Sequence, residues 1–318
     1  MPDSNAEKHS PSAPHNADQI IARVRGSMER SLAASSRLLK SREFANEAEE
    51  DEYLNRVMVD NEGPPPSTPL EEAQELIWDA WEESSSEKKV ALARKALDLS
   101  PDCADAYVLL AEETARDLRE ARALYQKGVE AGERALGEKM FAERAGDFWG
   151  LIETRPYMRA RAGLAACLYH LGRIDEVIAH YEDMLRLNLE DNQGIRIVLL
   201  NCYMEKSDIQ AARELLGRYE EDISTPFAYS RALCEFALNG PSKAANQALL
   251  RAFGANLHVP RYLLMMTEPS SDNAPPTYRP GSTIEAESYF QYGAKAWGHV
   301  PGSLKWLKDM HGRLSFGR

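Results

Sequence analysis

From Leu70 to Val259 apolar residues recur at three- and four-residue spacings in stretch after stretch, the pattern of helices that bury one face. The stretches themselves repeat. Leu164, Val198 and Ala232 stand 34 residues apart, and the same step links Leu168, Cys202 and Phe236, then Val177, Ala211 and Ala245, then Tyr181, Leu215 and Leu249. Upstream it links Ala73 with Tyr107 and Leu76 with Leu110, but between Ala104 and Met158 the offset is 54, one period plus 20 extra residues. The extra length marks an insertion at about 128–156. Ahead of the periodic region, Ile20, Ile21, Val24, Met28, Leu32, Leu38 and Leu39 predict a helical arm, and the prolines of "NEGPPPSTP" end it, because successive prolines break the helical hydrogen-bond ladder. The predicted organisation is a disordered tail over 1–16, the arm over 17–60, a proline-rich linker over 61–69, repeats over 70–266, a loop over 267–282 and a C-terminal helical cap over 283–318.

A unit of two helices every 34 residues resembles the tetratricopeptide repeat. "CLYHLGRIDEVIAHYEDMLRLN" (167–188) carries the likeness best: Gly172 suits the left-handed turn that ends one helix, and Asp175 and Glu176 suit the start of the next. Ala111 and Ala165 take the small position where two helices approach closely, whereas Leu199 and Leu233 fill it in later units and Lys206 replaces the turn glycine. The expected fold is all-α: a right-handed tetratricopeptide-repeat-like helical solenoid of about five repeats, with an insertion and a C-terminal helical cap in which Trp306 and Leu307 cover the last unit. "PDCADAYVLLAEE", "FWGLIETRPYMRARAGLAACLYHLGR", "NLHVPRYLL" and a terminal "PGSLKWL" narrow the likeness further. Over roughly 70–307 the chain resembles the suppressor-of-tumorigenicity-seven family and its bacterial tetratricopeptide relatives, a resemblance that implies a helical-repeat fold with no established catalytic activity.

Charge removes one class of partner. With 50 acidic against 38 basic residues in a chain of 318, the net charge is -12, which opposes nucleic-acid phosphates. No stretch approaches eighteen consecutive apolar residues and no apolar core follows a basic start, so neither a membrane span nor secretion is expected. Cys103, Cys167, Cys202 and Cys234 are widely spaced with no C-x-x-C pair, and they read as reduced, buried thiols of a cytoplasmic protein.

Candidate chemistry is sparse. Asp102, Cys103 and Asp105 stand together ahead of Glu112 and Glu113, but the nearest histidine in sequence is His170. The cluster therefore reads as the junction between two helices, with Asp102 capping the second. His258 before Pro260 reads the same way, as a capping or inter-repeat residue. No catalytic motif is present, and no catalytic residue, metal ligand or cofactor is expected.

The helical register instead predicts a groove lined by the first helix of each unit: Gln74, Trp78, Trp81 and Glu82; Val108, Glu112 and Arg116; Arg159, Tyr169 and His170; then Arg196, Tyr203 and Met204. Arg and aromatic side chains are the types enriched at interface hot spots. For Trp78 and Trp81 two readings stay open, groove wall or core. Phe148 and Trp149 in the insertion read as a core anchor ahead of a groove plug. The expected function is a non-catalytic adaptor that binds a peptide or partner protein, acidic ones included, with Arg159 and Arg196 pairing its carboxylates. A regulatory subunit or enzyme with an unrecognised active site, and a scaffold self-associating through its N-terminal helix, are the alternatives; the oligomeric state stays open.

Overall fold

The computed structural model describes residues 16–40, 64–265 and 279–315, with residues 44, 46, 48, 49, 52 and 53 between the first two spans. Residues 1–15 of the tail expected over 1–16, most of the arm beyond residue 40, the first part of the linker and most of the loop expected over 267–282 lie outside the described residues, and Asn16 begins the first helix. Among those described there are fourteen α-helices and no strand. They are α1 (Asn16–Lys40), α2 (Pro69–Glu82), α3 (Ser86–Leu99), α4 (Ala104–Thr114), α5 (Leu118–Glu143), α6 (Arg155–His170), α7 (Ile174–Leu187), α8 (Ile195–Glu205), α9 (Ile209–Arg218), α10 (Thr225–Asn239), α11 (Lys243–Ala255), α12 (Val259–Leu263), α13 (Thr283–His299) and α14 (Ser303–Ser315). The chain divides into two compact units, 1–167 and 168–318, with the boundary near the end of α6.

One local device recurs. Helices α2 and α3, α4 and α5, α6 and α7, α8 and α9, and α10 and α11 are each joined by a turn of three residues. In four of the five turns the third residue caps the second helix: Ser85, Asp117, Asp208 and Ser242 each accept from a backbone N–H in its first turn. Gly172 and Gly240, two periods apart, both hold positive φ (75° and 60°), which costs glycine nothing. In the unit between them Lys206 is right-handed and Ser207 takes the positive φ of 58°, so the turn closes one residue later.

In the first unit α2 packs on α3, α4 on α5, α3 on α4, and α1 on α2. Ala73, Ile77, Ala80, Ala93, Ala96, Ala106 and Leu109 form the seam of this core. The inserted length goes into α5, which bends at Gly137 (φ 68°) and runs on to Glu143, and into the turn and 3-10 segment (Ile152–Thr154) before α6. Phe148 is fully buried against Phe141 and Tyr157, with ring centroids 5.1 and 6.2 Å away, which makes it the anchor of this segment. A close approach then fixes α6: a Cβ on Gly132 of α5 would stand 2.8 Å from Tyr157 Cβ.

The junction at 100–105 departs from expectation. The residue at the start of α4 is Cys103, without a side-chain cap, and Asp102 instead meets Arg134 Nε at 2.8 Å. Asp102 is therefore a link from this turn to α5.

In the second unit α7 packs on α8, α8 on α9, α9 on α10, and α10 on α11, while α13 lies against α8, α10 and α12. Its core is aromatic. Trp297 is fully buried, its ring 6.2 Å from Trp306 and 6.3 Å from Tyr229, and Trp306 stacks on Phe236 at 4.5 Å. Leu307 is also fully buried. At the start of α13 the buried Glu285 carboxylate accepts from Thr225 Oγ1, Asn256 Nδ2 and the Gly281 N–H at 2.8, 3.0 and 2.7 Å.

Candidate functional site

In the first unit the face expected to form a groove is covered by a helix of the same chain. Trp78 and Trp81 project from α2 three residues apart, on one side of the helix, and both are buried (3% and 6% exposed). Their cover is α1. Gly26 of α1 lies against the Trp78 carbonyl and the edge of Trp81, which a Cβ there would meet in ordinary contact at 3.5 and 3.9 Å. The Arg25 guanidinium sits 3.9 Å over the Trp81 ring, a cation–π contact from the rim.

The centre of this face is a buried ionic cluster. Glu29 of α1 is only 3% exposed, and Arg159 of α6 donates Nη1–H to its Oε1 at 2.6 Å and Nη2–H to its Oε2 at 3.1 Å. The same guanidinium donates to both carboxylate oxygens of Asp105 on α4, from Nε at 2.8 Å and from Nη2 at 2.5 Å. Gln74 donates to Asp105 at 2.9 Å and the Trp78 indole N–H to Glu29 at 3.4 Å. One planar fork thus joins α1, α4 and α6, which a lysine's point charge would not reproduce. Burial works against the charged guanidinium, but the Asp105 and Glu29 charges outweigh it and hold Arg159 well above the ordinary arginine range.

Around the cluster α2 presents a row of carboxylates to α1. Arg30 reaches Glu75 and Asp79 at 2.7 Å each and Glu82 at 3.3 Å, and Arg37 lies 3.6 Å from Glu75 and donates to the Pro64 carbonyl at 2.9 Å. The apolar residues of α1 divide between the two sides: Ala33, Ala34 and Leu38 are buried. Val24, Met28 and Leu32, spaced four apart, are 59%, 56% and 39% exposed. Beneath α1 lies a cavity of about 120 Å³, lined mainly by apolar groups that include Ala33, Leu70, Trp78, Leu136 and Tyr157.

Of the other expected groove residues, Glu112 stands exposed on α4, outside this hydrogen-bonded cluster. Those in the second unit make three separate networks. The Tyr169 hydroxyl donates to Glu205, whose carboxylate lies 3.6 Å from Lys295 of α13, and the exposed His170 ring packs edge-on against Tyr169 at 5.7 Å. Arg196 bridges Asp191 at 2.7 Å and Asp222 at 3.0 Å, with its guanidinium 5.3 Å from the Tyr219 ring. Tyr203 is buried and donates to Glu182 at 2.5 Å. Arg159 and Arg196, expected to meet a partner's carboxylates, both meet carboxylates of their own chain. Glu29, Glu75 and Asp79 escaped the sequence reading, which placed Glu82 on the groove and took Asp105 only as part of a helix junction; the available signal was the close pairing of Gly26 and Ala33 with Glu29 on one side of α1.

All four cysteines are free and buried. Burial pushes the Cys103, Cys202 and Cys234 thiols up to about 12, with Asp105 adding to the effect at Cys103, Glu205 at Cys202 and Glu235 at Cys234; burial also raises Cys167. A buried, protonated thiol is a poor nucleophile. The native protein is expected to give almost no reaction with a thiol-directed disulfide reagent at neutral pH, and four thiols per chain after denaturation. A fast-reacting thiol in the native state contradicts this. Among the described residues no group of three or more His, Cys, Asp or Glu side chains is placed to hold a metal ion, and no helix is long and apolar enough to cross a membrane.

The family model for ST7 protein matches residues 66–312, more than half of the chain. Relatives include the human suppressor of tumorigenicity 7 protein-like, 29% identical over 270 residues, which covers 75% of this chain and 45% of the human protein. The Caenorhabditis elegans protein ST7 homolog is 27% identical over 275 residues, covering 73% of this chain and 49% of its own length. The Drosophila melanogaster protein ST7 homolog is 26% identical over 268 residues, with 74% and 48% covered. The chain therefore spans about half the length of the relatives it matches.

Proposed function

The chain belongs to the ST7 protein family, and from that premise we propose that it is a non-catalytic adaptor, built of tetratricopeptide-like repeats, that binds a helical segment of a partner protein on its first-helix face. The observation that supports this most is the contact of α1 with Trp78, Trp81 and Arg159. A face that takes up one helix with a charged fork, aromatic walls and a row of carboxylates has the ingredients of helix-in-groove recognition. The 34-residue step and the recurring three-residue turn support the repeat reading. The raised thiols argue against cysteine nucleophiles.

Photo-crosslinkers at the exposed rim positions Glu82, Glu112 and Arg116 of the full chain, in its native cell, test the proposal. Adducts with the same polypeptide at these positions, and none at Lys243 and Arg251, are the expected result. Equal labelling at all five positions, or none at the rim, would sink it.

A further inference from the structure

The contact between α1 and the first-helix face has an unusual composition. An amphipathic helix docks as a rule through its apolar stripe. Here α1 docks through Gly26, Glu29, Arg30 and Arg37 together with the buried Ala33, Ala34 and Leu38, and leaves Val24, Met28 and Leu32 in solvent. The face therefore selects for charge pattern in addition to the apolar contact made by Ala33, Ala34 and Leu38. It offers one arginine fork for a single carboxylate, flanked on α2 by Glu75, Asp79 and Glu82 for cations. Among the described residues a 120 Å³ cavity stays open beside Ala33.

We propose that this face recognises a basic helix carrying one central glutamate in a partner protein, and that α1 is its competitor within the chain. The partner's helix follows the pattern that α1 displays: a small residue three positions before the glutamate, an arginine directly after it, and a second arginine seven positions further on. At the position of Ala33 it bears a larger side chain, such as methionine or leucine, that fills the cavity. Charge complementarity selects this occupant: an acidic peptide would face the α2 carboxylates, and a purely apolar helix would leave Arg159 without its second carboxylate. The inference rests on the adaptor reading and gives its partner a chemistry. The competitor lies on the same chain, so an incoming helix must displace a ligand held at high effective concentration.

The probe is a synthetic peptide of residues 16–40 with Ala33→Met, titrated against the full chain and against a full chain carrying Glu29→Gln and Arg30→Ala. That variant keeps Arg159 paired with Asp105, so the fold retains its buried ion pair. The peptide is expected to bind the variant on the order of tenfold more tightly than the wild-type chain, because α1 has lost the charge-assisted contacts of two residues. A peptide with Gln at the Glu29 position is expected to bind at least roughly tenfold more weakly, and one with Ala restored at position 33 a few-fold more weakly. Equal affinity of the Glu and Gln peptides overturns the proposal, as does equal affinity for the two chains.

Hydrogen exchange of the wild-type chain in excess peptide supplies a readout that needs no variant: α1 is expected to lose protection while α2 to α5 keep theirs. Unchanged protection of α1 at saturating peptide overturns the proposal. So does concentration-dependent dimerisation of the wild-type chain abolished by the peptide, which would make a second copy the occupant. In any of these cases, rim crosslinks to one polypeptide would leave the adaptor reading standing.

Discussion

Replacing Arg159 with methionine is expected to destabilise the first unit by about 3–5 kcal/mol, measured by chemical denaturation at neutral pH. The size follows from what is left behind. Glu29 and Asp105 are 3% and 1% exposed, and both rely on the same guanidinium. Methionine fills much of the arginine's volume, so the loss reports stranded charge rather than a void. Arg159→Lys keeps the charge but not the fork, and an intermediate loss is expected. Combining Arg159→Met with Glu29→Gln and Asp105→Asn removes the stranded charges and should recover most of the stability. If the single and the triple variant are equally destabilised, the cluster is not held together by charge pairing.

The sequence makes some of this legible, and the limits have a physical cause. The 34-residue step locates the paired helices because each pair repeats the same local geometry: a helix, a three-residue turn, a capped helix. Gly172 and Gly240 announce two of the turns, since a positive φ favours glycine. Ser207 does the same work unannounced, as serine gives no sign of a left-handed backbone. At the start of α4 an aspartate next to the cap position suggested capping by Asp102, but Arg134, from a later helix, takes that carboxylate.

The face itself was half visible. Register arithmetic places Trp78, Trp81 and Arg159 on it, because positions on one helix face follow from spacing alone. What it meets is set by a contact between residues 130 apart in the chain, Glu29 with Arg159, on which local periodicity is silent. Of the apolar residues that predict the α1 helix, Leu38 is buried, while Val24, Met28 and Leu32 are left outside, where α2 offers carboxylates and an indole edge to the neighbouring Glu29 and Arg30.

In the second unit the largest effect is expected at Trp297, where truncation to alanine should cost about 3–5 kcal/mol. The ring is fully buried, its N–H donates to the Tyr289 hydroxyl at 2.9 Å, and it lies between Tyr229 and Trp306. Removing it leaves a cavity and a hydroxyl without its donor at the point where α13 and α14 join α10. Trp297→Phe retains most of the packing but not the donor, and a smaller loss of about 1–2 kcal/mol is expected. The buried thiols report where the damage falls. Cys202 and Cys234 belong to the second unit and Cys103 to the first, so in the alanine variant the former pair should label at lower denaturant concentration than Cys103. Simultaneous labelling of all three would mean that the loss at Trp297 is transmitted to the whole chain, and an unshifted Cys234 would mean that the aromatic stack is not what holds α13 in place.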